Sequence, residues 1–75
     1  MAYVYLPDHS RNIKRISYDP ITRQLDVTFH ARPRVYSHAE VPEKVVNEMI
    51  RWPSIGQYYH RVIAKHYKLL DPKEA

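Results

Sequence analysis

A chain of 75 residues with no cysteine makes one small domain that neither a disulfide nor a thiolate zinc site can brace. Its formal charge of +4 and pI of about 9.5 favour acidic or polyanionic partners, while a 44% hydrophobic content with seven tyrosines argues against disorder. No apolar run approaches the roughly 20 residues that span a bilayer. Residues 1–8 lack the basic and apolar regions of a signal peptide, so a reducing cytoplasm is the expected location and no membrane partner is expected.

Residues 1–11 read as a lead-in or an edge strand, with Tyr3 and Tyr5 alternating with Val4 and Leu6 until Pro7 and Asp8 break the pattern. The first firm strand runs from about Asn12 to Tyr18. Ile16 and Tyr18 share one face with Lys14, Arg15 and Ser17 the other, and Ile13 falls out of phase, which predicts a bulge or a strand-entry contact there. Asp19 to Arg23 form a turn with Pro20 pre-set for its second position. The second strand, Gln24 to His30, alternates cleanly, with Leu25, Val27 and Phe29 facing in. Ala31-Arg32-Pro33 turns the chain into a third strand, Arg34 to His38, with Val35 and Tyr36 as its packing residues. Connections this short require antiparallel pairing.

Pro42 suits a helix start, and Val45, Val46, Met49 and Ile50 make the apolar stripe of a first helix. Trp52-Pro53 ends it, because proline disfavours helical geometry in the residue before it. Ser54 and Gln57 form a capping-box pattern for a second helix. Its stripe runs Ile55, Tyr58, Tyr59, Val62, Ile63, His66, Tyr67, with Leu69 and Leu70 continuing the packing until Asp71-Pro72 stops it. The expected fold is therefore α+β: a three-stranded antiparallel β-meander followed by two α-helices packed on one face, spanning residues 12–70, with 71–75 as a tail.

The ordered set Ser10-Arg11-Asn12-Ile13, Ile16-Ser17-Tyr18-Asp19, Leu25-Asp26-Val27-Thr28-Phe29, Val35-Tyr36, Val41-Pro42, Ser54-Ile55-Gly56-Gln57-Tyr58-Tyr59 and Ile63 with Tyr67 resembles the KTSC domain family. That family is named from a module at the C-terminus of some lysyl-tRNA synthetases, and also occurs as stand-alone small proteins, including in phage genomes. The resemblance covers roughly residues 10–67. This chain departs from the family pattern at Ala31-Arg32-Pro33, where a glycine or Asn-Gly turn is common, and at Tyr59-His60, where Phe-Asn is common. The association with tRNA synthetases implies contact with RNA.

Read from the residues, the chemistry is that of a binder. Arg61, Lys65 and Lys68 recur at i, i+4 and i+7 on the face opposite the apolar stripe. With Arg32 and Arg34 near a hairpin tip they make a candidate phosphate-tracking surface for RNA or another nucleic acid. The alternative for these charges is an ordinary solvated face. Ser54, Gly56 and Gln57 at the start of the second helix make a candidate anion site; the alternative is that Gly56, the sole glycine, lets this helix sit close to the sheet or to Trp52. Trp52 reads as a lid on the core, most tyrosines as core residues with their hydroxyls at the rim, and His66 as a hydrogen-bonded core residue. No histidine pair has helical i, i+4 spacing. His30 and His38 are candidate neighbours across the hairpin but lack a third ligand, so no metal and no cofactor are expected. Without a cysteine nucleophile, a Gly-x-Ser-x-Gly motif or paired acids, no enzyme is expected either. The expected function is a non-catalytic binding module for RNA or other nucleic acid. The alternative is a protein-interaction module, such as a small phage or bacterial regulator docking on a host protein.

Overall fold

The computed structural model of the chain describes residues 3–7 and 10–70, and the backbone of 73 and 74. Among these, five strands form one antiparallel sheet in sequence order: β1 (Tyr3–Tyr5), β2 (Ile13–Asp19), β3 (Gln24–Phe29), β4 (Arg34–His38) and β5 (Lys73–Glu74). The three expected strands are its centre. The edge strand at Tyr3–Tyr5 is formed and pairs with β2. A fifth, two-residue strand pairs with Arg34 and Val35 where only a tail was expected. Asp8 and the stop at Asp71-Pro72 lie outside the described residues.

The bulge forecast at the start of β2 lies between Ile13 and Arg15. Ile13 pairs with Phe29 and Arg15 with Thr28, so Lys14 is the extra residue. Both Ile13 and Ile16 are thereby buried although three positions apart, and Lys14 is exposed rather than sharing the face of Ile16. In β4 the strand period of two corrects the packing pair. Tyr36 and His38 share the core side, whereas Val35 stands on the opposite face beside Arg15, Ser17, Asp26 and Thr28.

The turn after β2 is held by the Asp19 carboxylate, which accepts from the N–H of Ile21 (2.9 Å) and of Thr22 (3.4 Å). It closes with the Arg23 N–H donating to the Asp19 carbonyl (2.6 Å), and Arg23 takes a left-handed φ of 63°. The 30–33 hairpin has no left-handed residue, so it closes without the family's usual glycine. Val41, buried, ties the sheet to the helices: its N–H donates to Arg23 O (2.9 Å), and its carbonyl accepts from the buried Tyr18 hydroxyl.

Helix α1 (Glu43–Arg51) starts after Pro42 and buries Val46 and Met49. Trp52 ends it in an extended conformation (ψ 143°), as the following proline demands. The second helix is continuous in three pieces: α2 (Ile55–Tyr58), a π-helical turn (Tyr59–Ile63) and α3 (Ala64–His66). In the π turn the Ala64 N–H reaches back to the Tyr59 carbonyl. A π turn takes one residue more than an α turn, so every side chain beyond it lags around the axis. Tyr58, Tyr59 and Ile63 are buried, but His66 is exposed and is not the core residue its α spacing suggested. The chain leaves the helix at Tyr67 (φ −123°, ψ 136°) and runs back along β4, where Leu70 N–H donates to Ser37 O (2.7 Å) and Leu69 bridges His38. Leu69 is exposed and does not extend the core. The core lies between the helices and the inner faces of β2 and β3, from Ile13, Ile16, Tyr18, Leu25, Val27 and Phe29 to Val46, Met49 and Ile63.

Candidate functional site

The segment Ser10-Arg11-Asn12-Ile13 enters the sheet at the end where β3 gives way to the 30–33 hairpin. Three of its members have structural work. The Ser10 hydroxyl accepts from the Ile13 N–H (2.9 Å), the Asn12 carbonyl accepts from the His30 N–H (2.9 Å), and Ile13 is buried. Asn12 also meets the second helix. A Cβ on Gly56 would stand 3.2 Å from Asn12 Nδ2, a tight contact that the Asn12 side chain would have to ease, so the glycine suits the close approach of α2 to this segment. The Gly56 contact is thus with the β2 entry and not with Trp52. Arg11 is left exposed between two clefts that it lines together with Asn12.

The smaller cleft, of about 210 Å³, is lined by Arg11, Asn12, Phe29, Ala31, Arg32 and His60. Its wall is a ring cluster with Phe29 at the hub. Tyr36 and Tyr59 meet Phe29 edge to face at 5.4 and 5.3 Å, and His60 stacks on it at 6.3 Å with 22° between planes. The Arg32 guanidinium lies 5.4 Å from the Phe29 ring centre and 5.7 Å from that of Tyr36, and Nη1 donates to the Tyr36 hydroxyl at 3.4 Å. Arg32 is therefore an oriented cation, held by aromatic faces while its remaining donors meet solvent. Burial pushes the Tyr59 hydroxyl up to about 12, so it stays protonated at any physiological pH.

The larger cleft, of about 410 Å³, lies between the β1–β2 segment and the junction of the two helices. Tyr5, Trp52 and Ile55 contribute apolar surface, and Ser10, Arg11, Asn12 and Ser54 contribute polar surface. Trp52 tilts against Tyr58 at 5.3 Å and is 44% exposed, so it forms a wall of this cleft and only in part a lid. The Ser54 hydroxyl caps the helix as its sequence pattern requires, accepting from Gln57 N–H at 3.3 Å.

The expected site residues do not assemble as one helix face. Arg61 stands in the π turn and Lys65 in α3, both exposed, but Lys68 lies past the helix end, where its carbonyl accepts from the Ala39 N–H (3.2 Å). The i, i+4, i+7 placement fails because the helix stops at His66. Arg34 is exposed on β4 at the register position of Glu74. Of this set, Arg32 is the one with a built aromatic seat, and sequence reasoning paired it with none of Phe29, His60 or Arg11. The signal available for Arg11 was its place in a motif whose other members have structural work. His30 and His38 are not neighbours: His30 is exposed beyond β3, and His38 pairs with Leu25 at the far end of β4.

His38 is 1% exposed. Its Nε2 lies 2.8 Å from the Tyr59 hydroxyl and its Nδ1 3.1 Å from the Tyr67 carbonyl. A carbonyl only accepts, so Nδ1 carries the proton and donates, and Nε2 accepts from Tyr59. Burial lowers its pKa, partly offset by the bond to Tyr67. This neutral bridge anchors both the π turn and the exit strand to β4.

Among the described residues no helix is long and apolar enough to cross a membrane. Residues 9–67 match the family model of the KTSC domain. The chain is 32% identical over 68 residues to a lysine–tRNA ligase of Nostoc sp., covering 91% of this chain but spanning only 12% of that enzyme's length. Its fold is similar to the crystal structure of a KTSC domain protein from Yersinia pestis, with a TM-score of 0.81, 24% identity, and coverage of 100% of this chain and 99% of that one. The chain belongs to the KTSC domain family.

Proposed function

We propose that this domain is a non-catalytic, cytoplasmic binding module that takes RNA, or another single-stranded nucleic acid, on the surface around Arg32. The carrying observation is the Arg32 guanidinium seated over Phe29 and Tyr36 beside the stacked His60, with Arg11 across the cleft. Cations at fixed positions track phosphates, and aromatic edges accept unstacked bases without regard to sequence. Arg34, Arg61, Lys65 and Lys68 are also exposed and add positive charge to the domain's surface. The similarity to part of a lysine–tRNA ligase, named for work on tRNA, favours RNA as the partner.

A labelled single-stranded RNA titrated at rising salt tests this reading. Binding weakens steeply with salt, and Arg32→Glu with Arg61→Glu weakens it across sequences and flattens the slope by about 0.7 per lost phosphate contact. Absence of RNA binding by the wild type at low salt refutes the reading. The second reading, docking on a host protein, draws on Val4 and Leu6, exposed at β1, the first strand in the order of the sheet, whose outer edge pairs with no other strand among the described residues. A complex of that kind keeps its affinity at high salt.

A further inference from the structure

We infer that the cleft between the β1–β2 segment and the helix junction is a second site, which takes one nucleotide: an aromatic base with a phosphate. Three observations converge on it. Its volume of about 410 Å³ falls in the range that encloses small ligands. Its walls divide by chemistry, with Tyr5 and Trp52 offering aromatic surface and Ser10, Arg11 and Asn12 offering donors. And the two residues with the most to offer a ligand have the least structural reason to be there. Trp52 is a large aromatic left 44% exposed in a chain whose core is too thin to waste one. Arg11 is the one exposed cation in a segment whose other members cap, pair or pack.

The chemistry of the occupant follows from these walls. A flat π system fits against an indole that is half open, and a phosphate fits an exposed guanidinium that has no hydrogen-bond partner among the described residues. An apolar ligand alone leaves the exposed Arg11 unused, and an inorganic anion alone leaves the exposed part of Trp52 unused. Arg11 and Asn12 line both this cleft and the Arg32 cleft, so a free mononucleotide and an unpaired residue of an RNA chain meet the same groups.

Trp52 is the sole tryptophan and Gly56 the sole glycine, and both line this cleft. Indole emission and the well-separated glycine amide resonance therefore report on it directly. The full chain is titrated with AMP, UMP, uridine and inorganic phosphate, and with a short RNA with and without a 5′-phosphate. Both signals saturate with AMP or UMP, while uridine and phosphate bind at least about tenfold more weakly, as loss of a charge-assisted hydrogen bond or of a stacked base requires. Arg11→Gln weakens AMP binding about tenfold, and Lys14→Gln, equally charged but on the bulge, leaves it unchanged. Response to the 5′-phosphorylated RNA alone identifies a chain end as the source of the nucleotide. Response to AMP with no RNA binding supports this site and refutes the Arg32 reading. RNA binding that leaves both signals still does the reverse. Equal responses to phosphate and AMP, or none to any nucleotide, overturn the inference.

Discussion

Acidification is the perturbation most directly written into the fold, because His38 is buried as a neutral ring. It is 1% exposed and satisfied on both sides, donating from Nδ1 to Tyr67 and accepting at Nε2 from Tyr59. Adding a proton puts a charge where water cannot reach it and turns the Nε2 acceptor into a donor. Its pKa in the folded state is lowered by that burial, so below about pH 6.5 the unfolded chain binds more protons than the folded one. The contribution of His38 to stability is complete above about pH 6.5 and is lost as the pH falls toward the folded pKa. One proton sets the steepest slope, about 1.4 kcal/mol per pH unit. The Asp19 carboxylate is shifted the other way, lowered by the backbone N–H groups of Ile21 and Thr22. Its contribution is lost only as pH falls through its folded pKa, below the ordinary carboxylate range. Urea unfolding between pH 5 and 7.5 therefore isolates His38 when wild type is compared with His38→Gln. The variant costs about 1–3 kcal/mol at pH 7.5, because at least one of the two buried partners loses its bond. Its stability falls less on acidification, so the two curves converge. Parallel curves over that range refute the account, since they mean that His38 takes up a proton as easily folded as unfolded.

Phe29→Ala removes the hub of the ring cluster and costs about 3–5 kcal/mol, enough to leave a domain of this size largely unfolded by circular dichroism. Ser54→Ala loses the cap on the Gln57 N–H and costs about 1 kcal/mol in urea melts, with RNA affinity unchanged if Ser54 is only a cap. Tyr3→Phe removes a buried hydroxyl that has no partner among the described residues, so its urea midpoint stays level or rises, by up to about 1 kcal/mol in stability.

Much of the fold was legible because strand and cap signals are local. The clean alternation of Leu25, Val27 and Phe29 marks the central strand, and the phase slip at Ile13 marks a bulge that is indeed there. Ser54 with Gln57 marks a helix start that the hydroxyl does cap. What failed in the second helix was an α count carried through a π turn and past the helix end. A stripe counted at α spacing cannot register a π turn. The count therefore put His66 in the core and Lys68 on a helix that has already ended. The role of His38 was hidden for another reason. A histidine at a strand end looks like a rim residue until a distant hydroxyl and a distant carbonyl are brought to its two nitrogens, and those partners lie 21 and 29 residues away. The cluster at the candidate site was illegible in the same way, since Arg11, Arg32 and His60 meet only through the register of β2 with β3 and the approach of the second helix.

The π turn, His38 and the Arg32 cleft are parts of one arrangement. Tyr59 opens the π turn, its hydroxyl is held by His38, and its ring meets Phe29 edge to face at 5.3 Å. The next residue, His60, is thereby set at 79° to the Tyr59 ring and nearly parallel to that of Phe29, on the outside of the same aromatic hub that seats Arg32. The residue that anchors the helix to the sheet thus also fixes the orientation of the surface ring beside it. Loss of the His38 ring has to be felt twice: through Tyr67, in the hold on the segment that runs back along β4, and through Tyr59, in the angle at which His60 faces the cleft. His38 itself, buried at the far end of β4, does not line the cleft, so a substitution there reaches His60 by way of Tyr59.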